Sequence, residues 1–231
     1  MLSKRIIPVL LCRGRQLIKG KQFNSWRTVG VAAQAVRIYQ TRGVDELMLL
    51  DIDATKEGRG PDLALIEELS EVLFIPLTVG GGVRTKQDAQ ALLRAGADKV
   101  AVKSGGVKTV REIADSVGCQ AVVGVVDYRE GQDALMDSIK LTMAGAGEIL
   151  LQNMDREGMM EGYDLETLKQ VSDALSVPVI VSGGAGSYAH MEDAIRCGAD
   201  AVAVGSFFQF TENTPKGAAR YLSQQGLEMR I

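Results

Sequence analysis

A chain of 231 residues, with 46% hydrophobic and 24% charged residues, has enough apolar material for a globular core, and its length suits one α/β barrel. A net charge of −3 excludes the general basic face of a nucleic-acid binder, and the apolar run Ile6–Leu11 is too short for a signal-peptide core or a membrane span. Three widely spaced cysteines, Cys12, Cys119 and Cys197, with a single histidine, His190, argue against a metal site or a disulfide framework; a reducing, cytoplasmic setting is expected, with no cofactor.

In chain order, IIPVLL (6–11) is the first predicted strand. It runs into RGRQLIKGKQFNSWRTVG, a long basic loop carrying Phe23 and Trp26, which either folds over an anionic ligand or merely connects to the helix predicted in VAAQAVRIYQTRG. Strand ELMLLD (46–51) precedes helix LALIEELSEVL, strand IPLTV (75–79) precedes helix KQDAQALLRAG, and strands DKVAVK (98–103) and QAVVGVVD (120–127) follow. Strand EILLQN (148–153) leads to helix DLETLKQVSDAL, strand VPVIVS (177–182) to helix MEDAIRCG, and DAVAVG (200–205) is the last strand. Eight nearly continuous apolar runs fit a parallel sheet buried on both faces, and eight such units favour a single (βα)8 barrel over a doubly wound sheet.

Residues 75–104 align without a gap on residues 177–206, matching Pro76 with Pro178, Gly81 and Gly82 with Gly183 and Gly184, and GAD with GAD. Upstream, LLDIDATKEG resembles LLQNMDREG. Two duplicated half-barrels are the plain reading, since one half alone would expose sheet edges. What one half binds, the other is then expected to bind. In both copies glycines fall between a strand and a helix, where main-chain N–H groups can face an anion. Gly81 and Gly82, with Lys103 and Ser104 on the next turn, form one expected phosphate cradle; Gly183 and Gly184, with Gly205 and Ser206, form the other. The bland alternative is that these glycines only permit tight turns.

Carboxylates at strand C-termini lie on the rim where such barrels place their chemistry. Asp127 ends a run of apolar residues and glycine and is the best candidate for proton transfer; Asp51, Asp155 and Glu157 hold similar positions but could equally cap helices or anchor loops. His190 opens a helix and reads as a surface residue. At the opposite rim Arg5, Glu46 and Lys99 mark strand beginnings and Glu166 opens a helix; together they could form a ring of salt bridges.

The segments KRIIP, LIKG, DELMLLDIDA, FIPLTVGGGVR, DAQALLRAGADKV, GAGEILL, DREG, GYDLE and PVIVSGGAG, in this order over almost the whole chain, resemble the cyclase subunit of imidazole glycerol phosphate synthase of histidine biosynthesis. The resemblance implies a barrel that binds a ligand with two phosphate ends, docks a glutaminase subunit on its N-terminal face and receives ammonia through its centre. It implies that Arg5, Glu46, Lys99 and Glu166 gate that channel and that Lys19, in LIKG, is the lysine of the mobile first loop. It also implies two facing aspartates as acid and base; Asp127 matches one, but the other falls on Leu11. Further departures are Lys103 in place of an asparagine, the residues Gln152, Glu157 and Met159, and a short loop in DYREGQDALMD.

Leucine cannot carry a proton; with the pair Leu10–Leu11 in place of the acid-bearing motif, this pattern resembles the divergent branch encoded with bacterial surface-polysaccharide genes. That resemblance implies a barrel that passes ammonia from a glutaminase to a separate amidotransferase acting on a sugar, with phosphate binding retained. The alternatives are a genuine cyclase and lyase, in which a water or Asp51 replaces the missing acid; a non-catalytic scaffold that activates a glutaminase; and a related sugar-phosphate isomerase barrel.

Overall fold

The computed structural model describes residues 3–103 and 106–230. Strand β1 (Arg5–Arg13) is followed by β2 (Gln16–Lys21), β3 (Asn24–Val31) and α1 (Ala32–Thr41). Strand and helix then alternate as β4 (Leu47–Asp51), α2 (Leu63–Ser70), β5 (Leu77–Gly80), α3 (Lys86–Arg94), β6 (Lys99–Val102) and α4 (Gly106–Val117). The second half continues as β7 (Val122–Tyr128), α5 (Ala134–Met143), β8 (Glu148–Asn153), α6 (Leu165–Ala174), β9 (Val179–Ser182) and α7 (Tyr188–Arg196). It ends with β10 (Ala201–Val204), α8 (Ser206–Phe210) and α9 (Pro215–Gln224).

All eight strands expected from the sequence are staves of one closed barrel. They pair in parallel in the order β1, β4, β5, β6, β7, β8, β9, β10, and β10 returns to β1 with Arg5 opposite Ala201 and Pro8 opposite Val204. The period of two along a strand sorts its side chains into an inner and an outer set. Ile6, Leu10, Leu47 and Leu49 pack outward against the helices, whereas Ile7, Val9, Leu11, Met48, Ala101, Val123, Leu150, Ile180 and Ala203 fill the barrel. Both sets are apolar, which is why the strands read as continuous apolar runs. Among the described residues no helix is long and apolar enough to cross a membrane.

The long first loop differs from expectation in that it is a hairpin. β2 and β3 pair antiparallel, and β2 joins β1 through Cys12 opposite Leu17 and Arg13 opposite Gln16. Its basic residues gave it the look of an irregular connection, but Leu17–Ile18 at one end and Thr28–Val31 at the other are strand-forming and pair across it.

The duplication is visible in individual bonds. The Asp98 carboxylate accepts from the Leu77 N–H at 2.8 Å, and its counterpart Asp200 accepts from Val179 at 3.1 Å. Thr85 caps α3 through the Asp88 N–H, and Ser187 caps α7 through the His190 N–H. Asp51 Oδ1 accepts from the N–H groups of Asp53 and Ala54, and Asn153 Oδ1 accepts from those of Asp155 and Arg156.

Asp164, the N-cap of α6, ties the barrel to its helical layer: its carboxylate accepts from Thr167 N–H at 3.2 Å, Tyr128 hydroxyl at 3.1 Å and Asn153 amide at 3.2 Å. Burial alone would raise its pKa, yet the bonds from Thr167 and Tyr128 and the charge of Arg156 hold it below the ordinary 3.8. A depressed folded value means that the stabilisation is full above the unfolded value and is lost as pH falls through the folded one. Asp164→Asn is therefore expected to cost about 1 kcal/mol at neutral pH in urea denaturation, with the difference shrinking below about pH 4.

Candidate functional site

Two constellations occupy the two ends of the barrel. At the N-terminal end the inward register brings together Arg5, Glu46, Lys99 and Glu148. Arg5 Nη1 donates to Glu46 Oε2 at 2.7 Å and Nη2 lies 3.1 Å from Glu148 Oε1. Lys99 Nζ lies 3.1 Å from both Glu46 Oε1 and Glu148 Oε1, and Thr78 Oγ1 donates to Glu46 Oε1 at 3.0 Å. The four side chains are between 2% and 17% exposed and form a neutral set of two cations and two anions. Burial pulls the pKa of Arg5 down, but Glu148 and Glu46 outweigh it and the net direction is up.

Glu166 is not part of this ring. It lies exposed in the first turn of α6, and a helix that follows a barrel strand starts at the rim where that strand ends, opposite the quartet. The fourth member, Glu148, was missed, although its register could have shown it. EILLQN places Glu148, Leu150 and Gln152 on one face, just as Glu46, Met48 and Leu50 share one on β4.

At the C-terminal mouth a cavity of about 380 Å³ opens over the first cradle. Main chain from Gly80 to Val83 forms one wall, and Leu11, Leu50, Ala101, Val125 and Leu150 form the floor. Phe23 and Trp26 from the hairpin stand over it, packed edge to face at 6.0 Å, so the first loop does cover the mouth. Gly81 has φ +108°, and a Cβ there would lie 2.3 Å from the Asp51 carbonyl oxygen, so the turn needs glycine. Lys56, Lys103 and Arg129 line the same space together with Asp51 and Asp127, and the three cations are paired with Asp53, Asp127 and Asp155 respectively.

Asp127 and Leu11 both line this cavity. Lys103 Nζ donates to Asp127 Oδ2 at 2.5 Å; the lysine is 59% exposed and the aspartate 10%. Leu11 is 5% exposed and belongs to the inner core, so the position where an acid would face Asp127 is part of the hydrophobic floor. Asp51 cannot stand in for it. Its Oδ1 is taken by two loop N–H groups and its Oδ2 by Arg59 at 3.1 Å, while the inward residues of its strand are the even-numbered ones. Asp51 is thus a loop anchor at the pocket wall.

The second cradle is not the open twin that the repeat leads one to expect. Around Gly183, Gly184, Gly205 and Ser206 only about 10 Å³ of free space remains, and Glu157 lines it. Lys19, 2% exposed, sends its Nζ onto Gly205, where a Cβ would lie 2.2 Å away, and pairs with Glu157 Oε1 at 3.9 Å. Burial pushes the Lys19 pKa down, and Glu157 offsets part of that. The hairpin is pinned above this pair: the Gln22 N–H donates to the Glu157 carbonyl at 2.8 Å and the Gln22 amide to the Asp155 carbonyl at 3.0 Å.

Gln152 Nε2 reaches Glu157 Oε2 at 3.3 Å, so Gln152 and Glu157 meet as neighbours at the second cradle. Met159 does not line either cavity. Asp155 pairs with Arg129 and accepts from the Glu130 N–H, which holds its carboxyl below the usual range and leaves it a structural role. His190 accepts from the Gly186 N–H at 3.2 Å through Nδ1 in the first turn of α7, away from the mouth cavity. Ser104 lies outside the described residues. Among the described residues no cluster of His, Cys, Asp and Glu could hold a metal ion.

Because the quartet is nearly dry, removing one charge leaves the others unbalanced in a place that water does not screen. Glu46→Gln is expected to lower stability by about 3 kcal/mol in urea denaturation, and a loss under about 1 kcal/mol would mean that the ring behaves as a screened surface network. The family described as "Histidine biosynthesis protein" matches residues 5–214, from the first residue of β1 to the N-cap of α9.

Proposed function

The chain belongs to the histidine biosynthesis protein family, and from that premise we propose that it is the ammonia-conducting barrel of a glutaminase-coupled complex, in the manner of the imidazole glycerol phosphate synthase cyclases but without their full chemistry. The observation that carries this reading is the contrast between the two ends. The charged quartet at the N-terminal end is complete, whereas the mouth has Leu11 where the chemistry requires an acid. A glutaminase subunit would dock on the N-terminal face, and ammonia would pass the quartet and the apolar interior before reaching the mouth.

In this reading the quartet is a gate because each of its four charges has alternative partners. Arg5 and Lys99 each touch both glutamates, so one salt bridge can open while the charge that loses it keeps another. Neutral ammonia then meets a stretch of apolar side chains that includes Ile7, Met48, Val123 and Ile180. At the mouth a phosphorylated small molecule sits against the Gly81–Gly82 turn, where Lys56, Lys103 and Arg129 line the cavity and would turn from their carboxylate partners toward the phosphate. The final acceptor is a sugar amidated by a separate amidotransferase, as in the polysaccharide branch.

One feature favours a second reading, that of a true cyclase and lyase. Lys103 and Asp127 are an ammonium and a carboxylate joined by a 2.5 Å hydrogen bond, and such a pair can give and take a proton without an acid at position 11.

The two readings separate when the purified barrel is given the bisphosphate substrate of the cyclases with excess ammonium salt and no glutaminase. No turnover is expected. Turnover that disappears in Asp127→Asn and Lys103→Met would establish the second reading instead. In the complex, addition of the barrel is expected to raise glutaminase turnover. Lys99→Met should release ammonia into solution rather than pass it on, which is read as glutamate formed without amidated product.

A further inference from the structure

The two cradles share one backbone but not one set of side chains. Thr55 and Glu157 hold equivalent places in the halves, two residues after Asp53 and Asp155 and four after the loop anchors Asp51 and Asn153. In the first half the Gly82 N–H donates to Thr55 Oγ1 at 3.3 Å, and Thr55 lines the 380 Å³ cavity. In the second half the longer, charged Glu157 reaches into the space that the glycines leave, is 8% exposed, and reduces that space to about 10 Å³. That is barely the room of one water molecule and far less than a phosphate group needs.

What surrounds Glu157 is nevertheless built for an anion. Lys19 Nζ and Ser206 Oγ are both buried, and neither has a hydrogen-bond partner among the described residues. Lys19 rests on Gly205, the counterpart of Lys103, where the missing side chain makes room for it. Among the described residues its ion-pair partner is the Glu157 carboxylate at 3.9 Å, a pair too long to be a hydrogen bond.

We propose that Glu157 is a built-in anion that occupies the second cradle, so that this barrel takes ligands with one phosphate end, held at the Gly81–Gly82 turn, and excludes ligands that need both. The inference rests on the phosphate-binding part of the function proposed above. It makes Glu157 a specificity-determining residue: its carboxylate neutralises Lys19 and fills the volume that a second phosphate would take. A ligand with two phosphate ends would have to expel a buried carboxylate from beside a buried lysine.

The test is the number of inorganic phosphate ions bound per chain, measured by isothermal titration and 31P NMR on the full-length protein. The variants are Glu157→Thr, which installs the residue of the other half, and Glu157→Thr combined with Lys19→Met. One phosphate is expected for the parent, two for Glu157→Thr and one again for the double variant. Two phosphates on the parent, or no gained site in Glu157→Thr, would overturn the inference. No phosphate on the parent but one on Glu157→Thr would support Glu157 as the occupant of the second cradle while overturning the one-phosphate ligand at the Gly81–Gly82 turn, and with it the phosphate-binding part of the proposed function. Should Glu157→Thr fail to fold, Glu157→Gln keeps the shape and removes the charge. Added phosphate should then raise its Tm more than it raises that of the parent, and equal shifts would overturn the inference.

Discussion

The pairing of β10 with β1 is the constraint on which the rest of this protein depends. An open eight-stranded sheet would leave two edges and no inside. Closure turns one face of every strand into a common interior, and the period of two then delivers one residue from each strand to successive layers. The quartet, the apolar column and the mouth are three heights in the same register: Arg5, Ile7, Val9 and Leu11 on β1, or Glu148, Leu150 and Gln152 on β8. A charge placed at a strand beginning meets charges from other strands at the same height and can be buried only because they are there.

Duplication supplies a second constraint and also the freedom to depart from it. The main-chain features of the halves are nearly interchangeable: Asp98 and Asp200 hold the starts of β5 and β9, and Gly81 and Gly183 both lie against the carbonyl of a loop anchor. Side chains are less constrained, and a few of them make the two cradles differ. Lys103 reaches Asp127 and leaves the first cradle open; Gly205 reaches nothing and admits Lys19; Thr55 gives way to Glu157. One backbone thereby carries an accessible pocket with an apolar floor and charged residues in its lining on one side of the mouth and a closed ion pair on the other.

The hairpin joins these effects. Its tip crosses from β1 to the loop after β8, with Trp26 over the open cavity and Lys19 beneath it in the closed one. A single hairpin in the first connection therefore roofs one cradle and, through Lys19, helps to fill the other. At the mouth Leu11 belongs to the apolar interior, and Lys19 with Glu157 fills the second glycine turn, so the two sides of the mouth differ in both charge and open space.

Much of this was legible in the sequence. Eight apolar runs, the repeat and the glycine turns are local or periodic features, and local patterns state which face of a strand is buried and which turn needs glycine. Three of the four ring residues were visible for the same reason, and Glu148 was within reach of a register argument that Glu166, on a helix, could not satisfy. What only the tertiary structure decided are the pairings between positions far apart in the chain: Lys19 with Glu157, Lys103 with Asp127, and the engagement of Asp51 by Arg59. Whether a charged residue is free for a ligand or already spent on a neighbour depends on which strands closure brings together, and no pattern within one strand contains that information.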